Sequence, residues 1–563
     1  MTRALRGPLL LLWAAGCGGP AEGPALTHHP VPGDSAPPED PPAPRAFAGE
    51  PLDALGLLRR GSLDLRGVVP SDAELDAVEA DPAAVDALLL SFLDDPRYEE
   101  RLVDLLAERF LTRGEEFNLR WFEMGLEPQQ DFAFRRAVGE EPLRVMARVA
   151  VEGRPWTDTV TTDLTVANEL LREIWPIEAV EEGPGWRWGR YTDGRPAGGA
   201  LMTNGLWWRY YTTPNNFSRS RASALSRLFL CEDFLTRPIS FEALALLDRE
   251  SQNEAIQTVP ACVGCHSTLD PLAASLFGFW WFDIYAPAEL NVYHPEREML
   301  GPYYLETEMA WFGAPMADAA DLGPFVAADP RFRACAVKSL AAALWRRNTD
   351  LADFDTLHGL QAAFEESGLL HKALAANILA GPDYRVGALG PEATDADAAR
   401  LTTRRLLSPE QLASAVEGLT GFRWEHRGYD QLTNDVVGYR ILGGGMDGQS
   451  VTRPERAPTL THALVVQRLA QAAGQAVVAD ELEADGPRRL FPAALSLDAR
   501  PGDPAFDAAL SQVHRRIFGR RPSAAEATDA AAHWAAVAAL EGPGPAWASL
   551  VAVFLRDPAF WSH

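Results

Sequence analysis

The stretch Cys262-Val263-Gly264-Cys265-His266 sets two thiols and an imidazole in the spacing C-x-x-C-H. Two cysteines so spaced can form thioethers to the two vinyl groups of a porphyrin, while the following histidine turns back onto the iron. The spacing therefore predicts one covalent haem c, with Cys262 and Cys265 as attachment residues and His266 as the proximal iron ligand. Three other chemistries use the same residue types. A zinc site needs further ligands at regular spacing, but the chain has no second C-x-x-C, and the nearest other histidine is His294. A thioredoxin-like dithiol needs a βαβ surround, whereas the flanks here read as helix, loop and aromatic run. A structural disulfide between Cys262 and Cys265 is the third.

An iron held by His266 also has a sixth position to fill. Met299, Met309 and Met316 offer a sulfur, which raises the reduction potential, and His294 offers a nitrogen; Met309 or Met316 is the candidate distal ligand, though none of the four stands in a diagnostic motif and each read singly is a core or surface residue. An open position would instead admit peroxide or another small ligand. No paired-carboxylate or nucleophile signature accompanies the motif, so the sequence leaves open whether the protein is an enzyme.

The remaining cysteines speak to compartment. MTRALRGPLLLLWAAGC has a basic start at Arg3 and Arg6 and an apolar run too short to span a membrane. Its ending, Ala14-Ala15-Gly16-Cys17, resembles a bacterial lipobox, which predicts a lipoprotein signal peptide over residues 1–17 and lipidation of Cys17. An ordinary secretory peptide cut near the same place is the rival. Ten prolines between residues 20 and 51 favour extended chain, so residues 18–51 read as a tether. The expected location is the cell envelope, anchored by lipid and facing the periplasm or the cell surface. With Cys17 assigned to lipid and Cys262 and Cys265 to haem, Cys231 and Cys335 are left over from the five cysteines. Two leftover thiols in an oxidising compartment tend to pair, which predicts a Cys231–Cys335 disulfide; the rival is two separately buried cysteines.

The elements that must position these groups read as mainly helical. YEERLVDLLAERFL places Leu102, Val103, Leu106 and Phe110 on one helical stripe. Capping-box pairs Ser71/Glu74, Ser408/Gln411 and Ser523/Glu526 predict helices over 71–80, 409–420 and 523–540. Four Asp-Pro-x-aromatic stretches, beginning at Asp95, Asp329, Asp503 and Asp557, read as a shared helix-start device. Residues 181–221, rich in Gly, Trp, Tyr and Arg, read as an irregular or short-stranded insert that could wall the C-x-x-C-H site. In it Trp186, Trp188, Trp207 and Trp208 are expected to pack beneath loops.

At 563 residues the chain is long enough for several domains. The expected fold is mainly α, with a helical N-terminal domain over 52–180, a cytochrome c-like segment over 181–345 and a helical C-terminal domain over 346–563. A net charge of −27, from 51 basic and 78 acidic residues, disfavours nucleic-acid and polybasic membrane roles. No segment is long and apolar enough for a transmembrane helix.

Several stretches, taken in order, carry a family resemblance. Residues 60–102, RGSLDLRGVVPSDAELDAVEADPAAVDALLLSFLDDPRYEERL, resemble the first of the planctomycete-type cytochrome c-like domain families, large exported proteins without a settled reaction. Residues 140–171 are similar to a companion domain, with Asp163, Thr165 and Asn168 on its motif. GLWWRYYTTPNNFSRSRASALSRLFLCEDF followed by PACVGCHSTLDPL resembles the segment in which an Arg-rich helix and a Leu-Cys pair precede C-x-x-C-H-x-x-x-D-P-L. RFRACAVKSLAAALWRR, SPEQLASAVEGLTG and FGRRPSAAE are similar to the downstream helical domains. The chain departs from the family at Ala273, where Gly commonly follows D-P-L, and in lacking the acidic residue before the Phe-Asp pair that ends at Asp283. The resemblance implies haem binding and electron transfer with an unknown redox partner. A haem-less envelope scaffold with a structural Cys262–Cys265 pair, and a haem-assisted enzyme on an extracellular substrate, are the alternatives.

Overall fold

Helix starts written into the sequence are helix starts in the fold. In the computed structural model Ser71, Ser408 and Ser523 each accept from the backbone N–H three residues on, and Glu74, Gln411 and Glu526 reach back to complete the box. The helices that follow are Asp72–Ala80, Pro409–Thr420 and Ala524–Glu541. The Asp-Pro-x-aromatic device works as its chemistry suggests at two of its four sites, where Asp329 and Asp557 accept from the backbone N–H two residues on and cap helices that open on Pro. Asp95 accepts from the Arg97 N–H just ahead of the helix Arg97–Phe110, while Asp503 caps its helix without a side-chain bond. In all four the aromatic, Tyr98, Phe332, Phe506 or Phe560, is buried.

The structure describes residues 47–114, 121–236, 249–281, 289, 292–434, 437–484 and 486–563. Cys17, the signal stretch, most of the tether and Asp283 lie outside the described residues. The last three residues of the expected tether, Gly49–Pro51, form a strand that pairs antiparallel with Val386–Leu389. The described body is mainly α-helical with small sheets of two or three strands. Among the described residues no helix is long and apolar enough to cross a membrane.

Two large apolar clusters organise the helices. One draws on residues from Leu57 to Tyr384, crossing both expected domain boundaries; the other joins Leu63 and Val69 to residues from Leu407 to Phe560. The helix Ala54–Arg66 lies in the seam, buried from Leu57 through Arg66, and contributes to both. Its charged residues are paired rather than solvated. Arg59 donates to the carbonyls of Ile517 and Phe560, Arg60 to those of Tyr384 and Val386, and Asp64 accepts from Arg405 at 2.7 Å. Burial pulls Arg59 down to about 10 and Arg60 to about 9, yet both remain cations at neutral pH. Leaving such groups unpaired in the interior would cost several kcal/mol, on the order of 3 to 5, so these long-range bonds hold the two clusters in register.

The expected irregular insert contributes one short strand to a sheet whose other strands precede it. Arg187–Tyr191 lies between Thr165–Ala167 and Ile177–Ala179 in an antiparallel sheet. Fully buried Glu141, on the helix Asp131–Val151, fastens it by accepting from Thr165 Oγ1, Tyr191 Oη and the Gly205 N–H. Burial raises the Glu141 carboxyl above its ordinary range. Trp188, on the central strand, and Trp207 and Trp208, on the helix Asn204–Arg209, are buried, and Trp186 is half-buried.

Candidate functional site

The C-x-x-C-H residues lie on the helix Pro260–Ala274, which opens on proline after extended Val259. In a helix, positions i, i+3, i+4, i+7 and i+8 share a face. Cys262, Cys265, His266, Leu269 and Asp270 therefore form one stripe, with the two cysteines half-buried as free thiols and Leu269 and Asp270 buried. The preceding element is the helix Arg249–Thr258, not the strand of a redox βαβ unit.

Asp270 organises the stripe. Its Oδ1 lies 2.9 Å from His266 Nδ1, and Arg219 grips both carboxylate oxygens at 2.7 and 2.8 Å. Burial alone would raise the Asp270 carboxyl, but the hydrogen bonds from Arg219 and His266 hold it below its ordinary value. An ionised Asp270 accepts a hydrogen bond from Nδ1–H, which leaves the Nε2 lone pair free; Nε2 makes no hydrogen bond among the described residues. This carboxylate–histidine pairing fixes ring orientation and tautomer, as it does for metal-bound histidines generally.

Arg219 is aimed by its own surroundings. It opens the helix Arg219–Phe229 after Phe217 and Ser218, both in the left-handed region at φ 51° and 62°. A left-handed conformation at a residue with a side chain costs on the order of 1 kcal/mol or more. Packing holds it: Phe217 stacks between Trp280 and Tyr304, and the Ser218 N–H donates to Thr212. Two residues on, fully buried Arg221 donates to the carbonyls of Phe279 and Tyr210, and burial pulls it down to about 9. The insert stands against the same region, with Trp207 beside Phe279 and Trp208 beside Trp281.

The sixth-ligand candidates separate. Met309 and Met316 are buried and flank the hairpin formed by Ala310–Trp311 and Ala314–Pro315, whose first strand packs on the motif helix. Met299 is 72% exposed. Both ring nitrogens of His294 are engaged, one by Glu296 and the other by the Glu289 carbonyl. The departure at Ala273 is accommodated, since its side chain is fully buried in the larger cluster. Close approach occurs instead at Gly301, where a Cβ would lie 2.1 Å from the Ala274 carbonyl oxygen.

Cys231 and Cys335 form the expected disulfide, with Cα atoms 5.3 Å apart. It ties the segment after the Arg219 helix to the helix Pro330–Trp345 and closes a loop that contains the motif helix. Asp163, Thr165 and Asn168 have structural roles: Asp163 pairs with Arg190, Thr165 donates to Glu141, and Asn168 caps the helix Glu169–Ile174. Reading the C-x-x-C-H motif by spacing alone passes over Arg219, Arg221 and the part played by Asp270. The signal for Asp270 was present, because a carboxylate four residues after a helical histidine shares its face.

The donors fit haem c: two unbridged thiols, and a histidine on the same helix face with its outer nitrogen free. Among the described residues no three His, Cys, Asp or Glu side chains come together as they would around a bare metal ion. No family model matches this chain, and no curated protein or solved structure matches it either.

Proposed function

We propose that the protein is an exported, lipid-anchored haem protein that transfers electrons at the cell envelope. Cys262 and Cys265 hold haem c, and His266 Nε2 ligates its iron. The observation that carries this reading is the stripe on the motif helix, where the thiols are free and the Asp270–Arg219 pair fixes His266 through Nδ1. When bound, haem c supplies a one-electron iron couple. The chain's own part is to hold the ring of His266, to keep Asp270 ionised beside it, and to offer Met309 or Met316 as a distal sulfur. The Cys231–Cys335 disulfide supports export, since such bridges persist in oxidising compartments. Lipidation at Cys17 supplies the anchor in this reading.

The test is production of the full chain in a host with cytochrome maturation machinery. The purified protein is expected to keep a Soret band and a haem-stained gel band after denaturation. His266→Ala should change the spectrum while attachment continues, and Cys262→Ser with Cys265→Ser should abolish the stained band. Colourless wild-type protein from that host would refute the haem reading. Acyl mass at Cys17, lost in Cys17→Ser together with membrane association, checks the anchor.

A further inference from the structure

A cavity of about 760 Å³ lies away from the motif helix, and none of Cys262, Cys265 or His266 lines it. Its walls come from distant parts of the sequence: the helix Arg97–Phe110, the end of the helix Arg219–Phe229, the helix Pro330–Trp345, and residues 452–456. The inner surface is apolar, with Leu102, Leu106, Met146, Trp156, Phe229 and Leu340 among its residues. The polar lining is of one sign. Arg109, Arg227, Lys338, Arg346, Arg453 and Arg456 all contribute, against the single carboxylate of Glu108. Glu108 is already taken by Arg346 at 2.8 and 2.9 Å. Arg109 spends its hydrogen bonds on the carbonyls of Arg227 and Leu228 and on the two disulfide sulfurs, none of which neutralises it. Arg227, Lys338, Arg453 and Arg456 make no ion pair among the described residues. Five cations without a counterion thus surround one cavity in a chain of net charge −27.

Two further groups lack partners. His371 is 4% exposed, lines the cavity and stacks on Trp156, and its buried Nδ1 has no hydrogen-bond partner. Thr349 Oγ1, also in the lining, is likewise buried and unpaired. Both residues belong to the cavity lining, where an incoming ligand or water can supply the missing partners. Partial desolvation among its neighbours, with the charges of Arg346 and Arg453 acting against that of Glu108, lowers the Arg456 guanidinium, a cost that an incoming anion would relieve.

We propose that this cavity binds an organic anion with an apolar body, its anionic group at the cationic rim formed by Lys338, Arg453 and Arg456 and its body against Leu106, Met146 and Trp156. This site stands independently of the haem reading, because it shares no residue with the motif helix. The volume is in the usual range for small-ligand sites.

The experiment is fluorescence titration of the full-length protein with 8-anilinonaphthalene-1-sulfonate, with the neutral N-phenyl-1-naphthylamine as its uncharged counterpart. Saturable one-to-one binding of the sulfonate is expected, weakening as salt is raised. Arg453 and Arg456 are exposed, so Arg453→Glu with Arg456→Glu should preserve the fold, as circular dichroism will show, and lower affinity for the sulfonate on the order of 10-fold. The pair Arg453→Lys with Arg456→Lys should retain binding. Dodecanoate and 1-naphthoate serve as competitors: displacement by the first identifies an alkyl body, by the second an aromatic one. The proposal is overturned if binding does not saturate at one site, if the folded glutamate variant binds the sulfonate unchanged, if the neutral probe responds equally to charge reversal, or if neither carboxylate competes.

Discussion

Replacing Cys231 and Cys335 together by serine should cost a large part of the stability of the body. The bridge closes a loop of 104 residues. In the chain-entropy model a loop of about 100 residues corresponds to about 4.7 kcal/mol at 25 °C, an upper figure because it counts only the freedom regained by the unfolded chain. The folded state should lose little. Arg109 holds the same corner through the carbonyls of Arg227 and Leu228, and serine oxygens can accept from its guanidinium as the sulfurs do. The effect therefore falls on the denatured side, where the segment carrying the motif helix gains its freedom. For a cooperative body of roughly 500 residues, the usual unfolding entropy per residue converts about 4.7 kcal/mol into a Tm shift of about 4 °C. Urea unfolding followed by tryptophan fluorescence and near-ultraviolet circular dichroism measures the change, and reduced wild-type protein should behave like the double serine variant. A loss below about 1 kcal/mol would refute the argument that this loop is constrained chiefly by its disulfide.

Three other outcomes are expected. Asp270→Asn removes the charge that Arg219 and His266 share, and leaving Arg219 without its partner should destabilise the haem-free protein by about 3 kcal/mol in urea unfolding; in haem-loaded protein the same change should alter the spectrum with attachment retained. Burial lowers His371 to about 4 from an ordinary 6.5, so between these values the unfolded chain binds the proton that the folded one refuses. Stability should therefore fall as pH drops from 6.5 to 4, by about 3 kcal/mol from this residue, and His371→Phe should flatten that part of the stability–pH curve. Ser408→Ala removes the cap of the helix Pro409–Thr420 and should cost about 1 kcal/mol in thermal unfolding, with no change in haem content.

Local chemistry explains what could be read in the sequence. A capping box needs only residues three apart, and an Asp-Pro step needs neighbours, so the helices beginning at Asp72, Pro409 and Ala524 were legible without knowledge of the fold. The aromatic density of residues 181–221 announced irregular packing for a similar reason. The Cys231–Cys335 pair was legible through arithmetic, because few thiols remained to be assigned. The seam helix Ala54–Arg66 was not. Arg59, Arg60, Asp64 and Arg66 on a short helix suggest a solvated face, and their burial makes sense only with partners more than 300 residues away for Arg59, Arg60 and Asp64.

The same distinction separates the two sites. The motif helix carries its thiols, its histidine and the carboxylate that orients it within nine consecutive positions, Cys262 to Asp270, so helical spacing alone specifies most of its chemistry. Arg219 comes from a preceding helix, and only the fold shows that the arginine-rich segment before the motif grips the motif's aspartate rather than facing solvent. The cationic cavity has no such local signature. Arg109, Arg227, Lys338 and Arg453 stand more than 100 residues apart in all neighbouring pairs, and each read singly is an ordinary basic residue of an acidic chain. Their meaning arises when the disulfide corner, held by Arg109, brings three helices around one apolar floor. Charge that the sequence distributes evenly is concentrated by topology. Like charges so gathered repel one another, and an anion supplied from outside is the direct physical means of relieving that repulsion.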